Sequence, residues 1–416
     1  MKFKAHVAGF VELIRPLYTA TTKSVMDNYA NSGTITFVLN ANSLEMIVDC
    51  GFINAKNTIS VDDNSINLSI EKHGTTTVNV TDLMNALQSF TDCVSVTLED
   101  SDNANEFIIT NTDDKQEFQS LPKEQVVNKY EFDVSKQKKS HVRMNKKIFH
   151  TYVKKIAVAF SQQSYHKQYN YWVMRTCKNN ELRFTAGTGS FFAVVDINNL
   201  GANLVSAKGD ILFPIKQTPA VLDILDKSQA EMLDITLHDD FIFLVCGNLQ
   251  LRLLTDTSIQ YPNEAKLLEV DSAYKFTTQA AKWQNAILGI NATFDDNFRR
   301  QNRMHLCKLE IDTESKVIHA QTTETVAKSH RKIPMNEVAT DAETKTINFT
   351  SCSKYFHDAI KIASNAEYLQ FELSGEDDIM KIRYYAGEFV GDHLSFMKTD
   401  SLGVNERMTV FFGPAK

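Results

Sequence analysis

The sequence predicts an α+β protein built as three copies of one unit, and three observations point to it. The first is a helix followed by a strand, found three times. Apolar residues at helical spacing run through Val80–Leu87, Val221–Leu225 and Tyr355–Ile360. Each run leads into a strand of alternating apolar residues, beginning at Val94, Leu233 and Leu369, at intervals close to one third of the 416 residues. The second observation is another set of helices upstream, predicted over 9–20, 145–160 and 280–292, whose markers Leu13, Val153 and Ile287 keep the same interval. The third is that the rest of each copy alternates as strands do, as in Thr34–Leu39, Arg183–Ala186 and Cys307–Ile311. Short strands holding Phe3, Val142 and Phe276 precede the upstream helices. The copies are bounded at 1–125, 141–265 and 273–416. The polar, Lys-rich stretch 126–140 and the segment 266–272 serve as linkers.

Composition narrows the function. Hydrophobic residues make up 43% of the chain, enough for a packed core. With 15 glycines and 7 prolines, Gly-rich phosphate-cradling loops are scarce, which disfavours nucleotide enzymes. Gly187-Thr188-Gly189 lacks the third glycine and following helix of a dinucleotide site. No nucleophile elbow, metal-ligand cluster or P-loop occurs. The paired acids Asp239-Asp240 and Asp295-Asp296 read as loop punctuation, and the lone His238 and His357 as structural or surface residues. No catalytic residue, metal or cofactor is expected, and the chain is expected not to be an enzyme.

Six scattered cysteines without a CxxC pair suit reduced thiols in the cytoplasm. No 18-residue apolar run predicts a membrane helix, and charges interrupt the N-terminus before a signal peptide could form. Asn79-Val80-Thr81 and Asn348-Phe349-Thr350 are read as chance sequons.

The net charge is −7, so any contact with nucleic acid requires a local basic face. The helix over 145–160 offers one. Phe149, Tyr152, Val153, Ile156 and Phe160 fall on one side, Lys147, His150 and Lys154 on the other, and Lys146 and Lys155 flank them. The stretch carries no acid. Lys23 and Lys167 lie after the upstream helices of the first two copies, and Arg299 and Arg300 after that of the third. Lys23, Lys147, His150, Lys154, Lys167, Arg299 and Arg300 are the candidate phosphate-facing set.

With these residues in view, the chain resembles the bacterial DNA sliding clamps, the beta subunits of DNA polymerase III, over essentially its whole length. Arg183 to Val194 is similar to the family's strand and Thr-Asp-Gly-His-Arg-Leu-Ala turn. Leu251-Arg252-Leu253 with Tyr261-Pro262-Asn263 resembles its Ser-Arg-Leu and Phe-Pro-Asp-Tyr, Phe298-Arg299 with Arg303 its Phe-Arg-Gly-Val-Arg, and Thr409 to Lys416 its Val-Met-Pro-Met-Arg-Leu end. The resemblance implies three clamp domains, each with two helices inside and antiparallel sheets outside, and a head-to-tail homodimeric ring. It implies a processivity factor that encircles duplex DNA without reading sequence. It further implies a hydrophobic groove that takes short peptides of the replicative polymerase and the clamp loader. Carried across, that groove is Tyr171, Gly187, Gly189, Ser190, Phe191 and Phe192 on one wall, Pro262, Lys266 and Leu267 on another, closed by Phe411, Gly413 and Pro414. The family's His-Arg is Ser190-Phe191 here, and its terminal methionines are Gly413 and Ala415; such departures suit a phage or plasmid clamp serving its own polymerase. The alternative is a scaffold of the same repeats that does not act on DNA.

Overall fold

The computed structural model describes residues 1–23, 33–63, 66–90, 94–100, 106–111, 114–120, 140–161, 164–177, 181–198, 210–269, 272–293, 305–323, 328–340, 345–362, 366–375, 378–385, 397–398 and 405–414. Seven helices occur among them. They are α1 (Val7–Lys23), α2 (Val80–Ser89), α3 (Lys146–Ile156), α4 (Thr218–Asp226), the single turn α5 (Ala265–Leu268), α6 (Ala280–Asn291) and α7 (Ser353–Ile362). The six longer ones are the two predicted helices of each repeat. None is long and apolar enough to cross a membrane.

Local chemistry explains the helix ends and one irregularity. The Asn79 side chain accepts from the Thr81 and Asp82 amides at 2.8 and 3.1 Å, so this sequon is the N-cap of α2. Asn145 caps α3 by accepting from the Lys147 amide at 2.8 Å. Pro16 lies inside α1, where it cannot donate to the helical ladder. Close to that gap, Asn57 Nδ2 donates to the Leu13 carbonyl at 3.0 Å and fixes the helix to the strand Ile53–Ser60.

The described residues pack as two compact units, Met1–Lys147 with Asn203–Thr257, and Ile148–Ala202 with Ser258–Lys416. Each takes in parts of two repeats. The physical reason is strand pairing across repeat borders. In the first unit an eight-stranded sheet runs without a break, four strands from the second repeat followed by four from the first. The joint is antiparallel pairing of Leu249–Leu254 with Ile53–Ser60, with Leu251 opposite Ala55. In the second unit Phe191–Asn198 pairs with Asn405–Phe412 in the same manner, with Phe192 opposite Phe411. Smaller sheets of five and four strands complete the first and second unit respectively. The expected linker 266–272 is partly helical, because α5 begins at Ala265. Of the linker 126–140, Ser140 already belongs to a strand, and 126–139 lie outside the described residues.

Aromatic side chains fill both cores. Phe3, Phe10, Phe37 and Phe107 are fully buried in the first unit, with ring centroids 5.7–6.2 Å apart. In the second, Trp172 stacks on Phe184 at 6.1 Å, and Trp283 of α6 sits 4.5 Å from Phe371 and 5.6 Å from Phe356 of α7. Cys50, Cys177, Cys246, Cys307 and Cys352 are free thiols; Cys93 lies outside the described residues.

Candidate functional site

A groove of about 690 Å³ opens in the second unit where the strand joint meets α5. Its position follows from three local features. A tight turn at Thr188–Ser190, with the Thr188 amide donating to the Phe191 carbonyl at 2.9 Å, ends the strand Leu182–Gly187. Gly189 takes φ +92° there, which a side chain would resist. The C-terminal strand runs alongside, and the Gly413 amide donates to the Ser190 carbonyl at 3.2 Å while Ser351 Oγ donates to the Gly413 carbonyl at 2.8 Å. The third feature is α5, whose first turn is closed by the Leu267 and Leu268 amides donating to the Glu264 carbonyl, each at 3.0 Å.

Nine of the twelve sequence candidates line this groove: Gly189, Ser190, Phe192, Pro262, Lys266, Leu267, Phe411, Gly413 and Pro414. Phe192 and Phe411 form its hydrophobic floor and cluster with the buried Val194, and Tyr169 and Leu267 pack against that cluster. Lys266 is the one charged residue of the lining among the described residues. The surroundings keep the rest neutral. Burial raises the Cys352 thiol above its ordinary pKa, and burial likewise raises the Tyr355 phenol.

Three candidates sit elsewhere. Tyr171 opens a strand and does not line the groove; Tyr169 does, because the helical turn Lys167–Asn170 sets its ring edge-on to Phe192 at 5.8 Å. Phe191 alternates away from Phe192 and is core, stacked on Tyr355 at 5.2 Å. Gly187 lies beneath the groove. A Cβ there would fall 2.3 Å from the Phe192 ring, so the glycine leaves room for the floor. Gly187→Ala is expected to cost about 1–3 kcal/mol by overpacking and to tilt Phe192, read as a lower urea midpoint with altered groove binding. Sequence reasoning missed Asn263, Ser351, Cys352, Tyr355, Ile379 and Phe412, which also line the site. Tyr355 and Cys352 could have been suspected only by knowing that the start of α7 faces the 188–190 turn, a contact between distant parts of the chain.

The basic face is sorted by the fold as well. Lys147 and Lys154 are exposed on α3, and His150 between them is half-buried; spacings of three and four residues put them on one stripe. The flanking lysines are engaged elsewhere. Lys146 Nζ donates to the Leu225 and Ser228 carbonyls at 3.1 and 2.6 Å, closing the end of α4. Lys155 pairs with the buried Glu406 at 2.5 Å. Lys23 ends α1 and Lys167 opens its helical turn, both exposed. Arg15 on α1 is neutralised by Glu12 at 2.8 Å. Arg299 and Arg300 lie outside the described residues. Among the described residues, no group of three or more His, Cys, Asp or Glu could hold a metal ion.

No protein-family model and no curated protein sequence matches this chain. Its fold does have solved counterparts. The DNA polymerase III beta chain of Streptococcus pneumoniae superposes with a TM-score of 0.76 at 14% identity, covering 100% of this chain and 99% of that one. The DNA polymerase sliding clamp of Bacillus subtilis gives 0.77 at 15% identity, with the same coverage. A Helicobacter pylori beta clamp, solved bound to a DNA ligase peptide, gives 0.72 at 14% identity and covers both chains fully. The chain therefore has the repeated α+β fold of the bacterial sliding clamps, reached by a widely divergent sequence.

Proposed function

We propose that this protein is a divergent DNA sliding clamp and not an enzyme. Two copies close head to tail into a ring around duplex DNA, and the groove of the second unit holds short peptides of a replicative polymerase and of the loader that opens the ring. The full-length agreement of fold with solved clamps carries this reading. The groove supports it, since a few apolar anchors in a preformed pocket suffice to hold a peptide. The charge pattern is suitable too. A tether must attract phosphates without reading bases, and a few lysines on helices of an acidic chain do that. Lys23, Lys147, His150, Lys154 and Lys167 are the proposed contacts, with Arg299 and Arg300 of the third repeat.

Light scattering tests ring formation first: one chain is 47.1 kDa, and the ring is expected at twice that mass. Loaded protein is then expected to stay on nicked circular DNA and to be lost when the circle is linearised. A monomer at micromolar concentration, or retention indifferent to linearisation, returns the chain to the scaffold reading.

A further inference from the structure

Behind the groove lies a chain of ion pairs, buried at Glu264 and Asp196, that the peptide reading does not use. Glu264 is 1% exposed and sits between the groove residues Pro262 and Leu267. Its Oε1 accepts from Arg175 and, at 3.5 Å, from Arg183 Nη1. Arg183 in turn grips Asp196 with both arms of its guanidinium, Nε to Oδ1 at 2.6 Å and Nη2 to Oδ2 at 3.2 Å. Asp196 also accepts from Arg407 at 2.8 Å, and Arg407 reaches Glu181 at 3.6 Å. Among the described residues, three cations thus meet three anions.

Its members stand on three of the segments that shape the groove. Arg183 is on the strand that ends at the 188–190 turn. Asp196 shares a strand with Phe192, and Arg407, its cross-strand partner, shares one with Phe411. Glu264 carries the third wall. That wall is a single helical turn, which does not hold itself, so beyond the packing of Tyr261, Leu267 and Leu268 the Glu264 carboxylate is its charged anchor.

We infer that Glu264 is the positioning residue of the groove, pinning Tyr261–Leu268 to the strands Tyr171–Thr176 and Leu182–Gly187, the second of which pairs with the strand that carries Phe192. The inference rests on the groove being the peptide site. Charge-assisted bonds to two guanidinium groups fix where the carboxylate sits, and the wall is tied to it by its own backbone. Preorganising that wall spares a ligand the cost of ordering it. An amide at 264 keeps the size but takes from the part-buried Arg175 the carboxylate it pairs with, while Arg183 keeps Asp196.

The test uses the full chain and a fluorescent peptide selected on it from a random decapeptide library, with binding that depends on Leu267. Glu264→Gln is expected to weaken that peptide at least tenfold and to speed amide exchange over 261–268. Phe37→Leu, a core change in the first unit, is expected to lower thermal stability and leave affinity unchanged, separating positioning from general destabilisation. Affinity within twofold of wild type for Glu264→Gln, with wild-type binding still lost in Leu267→Ala, overturns the inference and leaves the groove reading intact. Should the library yield no Leu267-dependent peptide, the groove reading fails and the inference falls with it.

Discussion

Trp283→Ala is expected to destabilise the protein by about 4 kcal/mol, read as a fall in the denaturant midpoint of the second unit. The indole is fully buried on α6 and touches an aromatic ring from the sheet and another from α7, so its removal opens a cavity between three elements. Trp283→Phe separates packing from polarity. The indole Nε1 meets no hydrogen-bond partner among the described residues, so a phenyl ring forfeits no bond. Its cost is expected to be about 1–2 kcal/mol, well below that of Trp283→Ala, because the phenyl ring leaves a smaller cavity. A Trp283→Phe loss as large as that of Trp283→Ala would show that the indole nitrogen is held after all, and that volume is not what matters at this position.

Replacing Lys147 and Lys154 together by glutamine is expected to weaken DNA association most at low salt and so to flatten its salt dependence. Each phosphate contact contributes about 0.9 to the slope of log affinity against log salt. The double variant is therefore expected to lose about 2 from that slope per chain, measured on circular DNA between 50 and 200 mM salt. Lys146→Gln provides the contrast. Its ammonium is spent on two backbone carbonyls at the end of α4, so the expected effect is on stability, with the slope unchanged. An unchanged slope in the double variant would remove α3 from the DNA-facing surface.

Much of this molecule was written in local patterns. Apolar residues at a period of 3.6 marked six helices, and alternation marked strands such as Thr34–Leu39, because which face a side chain takes depends only on its neighbours in sequence. The helix ends were less legible. Asn79 could be read as a chance sequon until its side chain was found closing the first turn of α2.

What the tertiary structure decided concerns partners far apart in the chain. Five lysines and histidines crowd α3, and periodicity treats them alike; only the carbonyls of α4 and the carboxylate of Glu406 show that Lys146 and Lys155 are already occupied. The groove divides likewise. Its glycines, Phe192 and Phe411 could be named from sequence, yet the choice of Tyr169 over Tyr171, and the loss of Phe191 to the core, depend on a helical turn and a strand joint. The same joint runs the sheets across repeat borders and makes two units of three repeats. Sequence by itself determined the repeat, its helices and strands, because those follow from short-range geometry; the groove's residue types came from the resemblance to the sliding clamps. Which charges remain exposed, and what braces the groove, were settled by tertiary contact, since a buried ion such as Glu264 is stable only where distant arginines come to meet it.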